Sequence, residues 1–118
     1  MCGTIGIYGQ DDQIFINPET YPEYPGGEIA LFEFMMENFE YHDNENVYLT
    51  RIFFSLNIDT SGVPKFDSIL KITEGVNKEN IEMELKRIVG LMPKWSPGRQ
   101  SGIKVPMKMT IPLRIELR

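Results

Sequence analysis

From Ile103 to Leu117 every odd-numbered position is apolar (Ile103, Val105, Met107, Met109, Ile111, Leu113, Ile115, Leu117), while the even positions carry Lys104, Pro106, Lys108, Thr110, Pro112, Arg114 and Glu116. Successive strand residues point to opposite faces, so strict alternation over this length specifies a long strand with one buried face and one wet face. The two prolines add a lateral constraint. In a paired strand the N–H and C=O of residues of equal parity share one edge. Pro106 and Pro112 are both even and neither can donate, so the odd residues are expected to pair within the sheet and the even ones to line a free edge. The stretch therefore reads as a long C-terminal edge strand that holds the core with one face. Along its open side, through Lys104, Pro106, Lys108, Thr110, Pro112 and Arg114, it can recruit an extended partner.

Upstream, Tyr48 to Asp59 is a strand pattern with Ile52, Phe54, Leu56 and Ile58 on one face. Thr60-Ser61-Gly62 makes a turn, so Val63 to Thr73 should return antiparallel, with Phe66, Leu70 and Ile72 inward and Ile69, like Phe53, outward. Those two outward apolar residues read as simply exposed or covered by the N-terminal tail, with a patch for a second copy of the chain as the alternative. Two helices flank the hairpin. The first, from Glu28, has Ile29, Phe32, Met36 and Phe39 as its apolar stripe and is expected to end at Asp43-Asn44-Glu45-Asn46. The second starts at Asn77 as N-cap, with Ile81, Leu85, Ile88, Val89 and Met92 as its stripe, and stops at Pro93. Trp95 then reads as a hydrophobic plug over the helix end. Helix, strand, strand, helix, strand is an α+β order: a two-layer domain with two helices covering one face of a three-stranded antiparallel sheet.

The first 20 residues read as a flexible tail, with the domain over residues 21–118. Residues 1–10 are small and uncharged and give way abruptly to Asp11 and Asp12, which is how the end of a secretory signal looks. They are expected to be dispensable to the core. Gln13 to Ile16 is a candidate short strand, and three prolines with Gly26 and Gly27 exclude regular structure over 17–27.

Charge divides the chain. Residues 1–49 carry net −10 and residues 50–118 net +5, within an overall −5 and a pI near 4.9. An acidic chain is a poor match for nucleic acid, whereas the basic last strand could steer an acidic partner segment. No run approaches the roughly 20 apolar residues of a membrane span. A lone Cys2 and a lone His42 supply no recognisable metal set, and no phosphate loop or nucleophile elbow is present, so neither a cofactor nor an enzymatic activity is expected.

Tyr24-Pro25-Gly26-Gly27 followed by Ala30-Leu31, the turn at Thr60-Ser61-Gly62, the run Met92-Pro93-Lys94-Trp95-Ser96-Pro97-Gly98-Arg99-Gln100-Ser101-Gly102, and Ile111-Pro112-Leu113 together resemble the C-terminal domain of TonB-type energy transducers over about residues 21–118. Pro25, Gly26, Gly27, Trp95, Pro97, Gly98 and Gly102 carry the structural part of the motif. Tyr41-His42 and Thr50-Arg51 depart from the family's usual Tyr-Pro and Gly at these places. The resemblance implies a periplasmic domain that grips the Ton box of an outer-membrane transporter by strand addition and works with a proton-driven inner-membrane complex. A complete transducer also carries a membrane helix and a Pro-rich spacer, which residues 1–118 do not contain. A stand-alone secreted interaction module is therefore the alternative expectation.

Overall fold

The computed structural model describes residues 8–9, 19–40 and 48–117. The elements run β1 (Tyr8–Gly9), α1 (Gly27–Asn38), β2 (Tyr48–Ile58), β3 (Pro64–Ile72), α2 (Lys78–Leu91), β4 (Gly98–Gln100), β5 (Ile103–Val105) and β6 (Met107–Leu117). Three long antiparallel strands, with β2 between β3 and β6, form the sheet, and its inner face shares one core with residues of both helices. The expected α+β architecture is therefore present. The candidate strand at Gln13–Ile16, the connector holding His42, and residues 1–7 and 10 of the expected signal remnant lie outside the described residues.

β2 and β6 pair without interruption from Tyr48↔Leu117 to Ile58↔Met107. Even residues of β2 thereby share a face with odd residues of β6, and Ile52, Phe54, Leu56, Ile58, Met107, Met109, Ile111 and Leu113 are all buried. Helix α2 covers this face as its stripe requires. The Asn77 side chain accepts from the Asn80 backbone N–H at 3.0 Å, capping the helix, and Ile81, Leu85, Ile88, Val89 and Met92 are buried.

Helix α1 departs from its expected stripe. Leu31 and Met35 are fully buried, whereas Ile29 is 73% exposed and Met36 also faces outward. Apolar residues surround this helix on nearly every side, so periodicity does not single out a face and tertiary anchors decide. At its start Pro25-Gly26 forms a type II turn: the Gly27 N–H donates to the Tyr24 carbonyl at 2.8 Å, and Gly26 takes φ 89°, ψ −3°. At its end Arg87 of α2 donates to the Asn38 carbonyl and Glu84 accepts from the Glu40 N–H at 2.6 Å. The helix stops at Asn38, earlier than the expected end at residues 43–46, which lie outside the described residues.

Strand β3 also differs from simple alternation. Its register against β2 shifts twice, skipping Asp67 and Leu70. Each bulge inserts one unpaired residue and turns the subsequent side chains to the opposite face. Ile69 is thus inside, at 8% exposure, and Leu70 outside, at 53%. The expected outward pair Phe53–Ile69 is not formed, and no patch for a second copy rests on it.

The predicted single strand 103–117 is two strands. It breaks at Pro106, and β5 folds back on β4 as a two-stranded ribbon with Arg99 opposite Lys104. The turn at Ser101-Gly102 has positive φ at both residues, as a tight hairpin of this hand requires. Ile103, apolar and in phase with the core residues, is 65% exposed because the ribbon has left the sheet.

The hairpin turn between β2 and β3 carries a second constraint. Gly62 has φ 87°, its carbonyl accepts from the Trp95 N–H at 2.8 Å, and a Cβ there would lie 1.9 Å from the Trp95 carbonyl oxygen. Gly75 has a similar φ with open space around it. Gly62→Ala should therefore cost about 3 kcal/mol and Gly75→Ala only about 1 kcal/mol in urea unfolding, the difference reporting the close approach to Trp95.

Candidate functional site

Pro112 lies inside the continuous β2–β6 ladder, opposite Phe53. A residue without an N–H can sit there only if its nitrogen faces away from β2. Odd residues of β6 therefore bond to β2, and Lys108, Thr110 and Arg114 present their backbone groups to the outer edge. Part of that edge is occupied. β1 pairs antiparallel with β6, with Tyr8 opposite Thr110 and Gly9 opposite Met109. The sheet order is thus β1-β6-β2-β3, and β6 is not outermost along its whole length. The expectation that residues 1–20 form a tail apart from the domain also changes, because Tyr8–Gly9 belongs to the sheet and Glu19 and Thr20 bond to Arg99.

Of the residues expected on the edge, Lys108, Thr110, Pro112 and Arg114 lie on β6. Lys104 lies in the β4–β5 ribbon and Pro106 at the break, so these two are not part of it. The motif residues serve the surroundings. Pro25, Gly26 and Gly27 make the turn into α1. Pro97 leads into β4, Gly98 is its first residue, and Gly102 closes the ribbon turn. Trp95 is the expected plug, 2% exposed with its ring edge-on to Tyr24 at 5.6 Å between centroids.

Residues 19–24 run beside this edge, held to the ribbon and its lead-in. Glu23 and Ser96 exchange backbone hydrogen bonds of 3.0 and 2.9 Å, the Arg99 N–H donates to the Thr20 carbonyl at 3.0 Å, and the Gly102 N–H donates to the Glu19 carboxylate at 2.7 Å. Between the segment and β6 lies a cavity of about 360 Å³ lined by Thr20, Tyr21, Pro22, Glu23, Tyr24, Glu28 and Met109. Burial, and secondarily the charge of Glu37, raises the Tyr24 pKa, so this hydroxyl stays protonated and neutral at ordinary pH. Sequence reasoning missed this cavity; the local signal was the concentration of tyrosine and glutamate in 19–28, ETYPEYPGGE around the turn.

On the outer face of the sheet a polar row crosses three strands. The buried Ser55 hydroxyl donates to Asp67 at 2.8 Å, and Lys108 reaches the same carboxylate at 3.4 Å. The hydrogen bond from Ser55, and then Lys108, hold the Asp67 carboxyl below its ordinary 3.8. Lys108 is thereby committed to its own chain, and exposed cationic side chains remain at Arg99, Lys104 and Arg114. Among the described residues no group of three or more His, Cys, Asp or Glu side chains could hold a metal ion, and no helix is long and apolar enough to cross a membrane.

Because the native Asp67 pKa lies below its unfolded value, ionised Asp67 stabilises the fold above that value, and the contribution disappears as pH falls through the native pKa. Melting followed from pH 6 down to pH 2 should show Asp67→Asn losing less stability on acidification than the parent. Equal slopes would remove this carboxylate from the acid response.

Compared with protein-family models, with curated proteins and with solved structures, the chain matches none.

Proposed function

We propose that this chain is a protein-binding domain that receives an extended segment of a partner as an added strand along the outer edge of β6. The observation that carries the reading is the lateral asymmetry of that strand: one edge is bonded to β2 over its full length, and among the described residues the other pairs with only the two residues of β1. A two-residue strand contributes at most about two backbone hydrogen bonds of roughly 0.5–1.5 kcal/mol each. Ordering it opposes this by roughly 1–2 kcal/mol per residue. Its hold is marginal, so a longer incoming strand can exchange with it. Main-chain pairing of this kind supplies affinity, and pockets along the edge supply selectivity.

The motif resemblance gives the partner class. In that reading the domain is periplasmic and takes the Ton box of an outer-membrane transporter, in a system energised by an inner-membrane proton-channel complex. Nucleic acid is not a partner of this edge, whose described neighbours include two glutamates of the cavity.

Peptides from the plug segments of outer-membrane transporters encoded in the same genome provide the test. One of them should bind with a dissociation constant of roughly micromolar order and shift the amide resonances of Lys108 and Thr110 more than those of β3. Shifts centred on β3, or on no strand, would contradict the reading. Thr110→Pro removes an edge donor and should weaken that binding about tenfold while the domain stays folded, whereas Met109→Pro removes a donor to β2 and should unfold it. The reverse outcome would mean that the partner edge has been assigned to the wrong side.

A further inference from the structure

The cavity beside β6 lies at the register position where β1 carries a glycine. Residues directly opposite one another in an antiparallel pair project to the same face. Met109 lines the cavity, and its partner in β1 is Gly9, a residue without a side chain. A different strand on the same edge would present a side chain there. The volume, about 360 Å³, is at the small end of ligand clefts and is ample for one long side chain.

The lining sets its chemistry. Glu23 and Glu28 supply two carboxylates, and among the described residues neither is held in an ion pair. Tyr21 and Tyr24 supply aromatic surface, and Tyr24 stays neutral. The nearby guanidinium of Arg99 is turned to the Gly102 carbonyl, 3.5 Å away, and Lys108 is held by Asp67 on the other face of the sheet. Two exposed carboxylates beside aromatic walls favour a guanidinium or ammonium group on an aliphatic stem, through charge-assisted hydrogen bonds and cation–π contact.

We infer that the cavity receives a basic side chain from whichever strand pairs with β6 at the Gly9 register, so that a partner strand is selected for Arg or Lys opposite Met109. This rests on the strand-addition reading for its partner, but not for its chemistry. The exposed cations at Arg114 on β6 and at Arg99 and Lys104 in the ribbon add a pattern: one basic residue at the cavity, with acidic residues tolerated toward the ends of the segment.

The chain's own strand is the first probe. In the full chain, Gly9→Arg should melt above Gly9→Ala, and Gly9→Glu below it, with Arg and Glu separated by about 5 °C. In a Glu23→Gln/Glu28→Gln background that separation should largely close. If Arg melts no higher than Ala, or if the separation survives removal of both carboxylates, the inference is overturned. The second probe is a set of fluorescein-labelled nonapeptides copying residues 4–12, unchanged or with Gly9→Arg or Gly9→Glu, titrated into the full chain. The Arg peptide should bind at least about tenfold more tightly than the Glu peptide. Equal binding of the two overturns the selection by the cavity while leaving strand addition intact. Failure of every peptide, together with the expected order of melting temperatures, supports the cavity and overturns strand addition.

Discussion

Everything in this molecule hangs on the pairing of β2 with β6. It joins residues 48–58 to 107–117 in unbroken register, and it sets which residue of each strand faces the core. With even positions of β2 opposite odd positions of β6, Phe54 sits opposite Ile111 and Leu56 opposite Met109, and the inner layer is continuous. A slip of one residue would turn every one of these side chains to the wet face. Pro112 fixes the other coordinate. Inside that ladder it can be accommodated only with its nitrogen turned outward, so the same residue that tolerates the core pairing defines which backbone groups are left for the edge.

The rest of the domain shapes what surrounds that edge. Pro106 releases the chain from the sheet, and the β4–β5 ribbon that results serves as the anchor to which residues 19–24 are bonded. That segment stands off from β6, and the space between is the cavity. Trp95 ties the two regions together: its backbone N–H holds Gly62 at the hairpin turn, and its ring packs edge-on against Tyr24, next to the start of α1. The buried core and the candidate site therefore share residues, with Tyr24 and Met109 belonging to both.

Where the sequence was readable, the signals were local and strong. The Asn77 cap and its stripe marked α2, the alternating run marked β2, and Thr60-Ser61-Gly62 marked the turn. Where it was not, the deciding contacts were remote. Alternation across 103–117 runs through Pro106 without a change of phase, so the departure of the ribbon leaves no trace in the pattern except the proline itself. The bulges at Asp67 and Leu70 carry no glycine, and only the register against β2 reveals that Ile69 turns inward. In α1 the apolar residues are too many for periodicity to choose among, and Arg87 and the Pro25-Gly26 turn choose instead. Tyr8–Gly9 has no strand pattern of its own. Its role comes from the edge it meets, and the six even-numbered edge residues read from the sequence reduce to the four that lie on β6.

The central claim is that β6 has one committed edge and one exchangeable edge, and amide hydrogen exchange of the full chain, read residue by residue along β6, measures it directly. Protection should alternate, with Met109, Ile111 and Leu113 exchanging only through global unfolding and Lys108 and Thr110 exchanging much faster through local opening. Uniform slow exchange at Thr110 and Met109 alike, or slow exchange confined to the even residues, would contradict it.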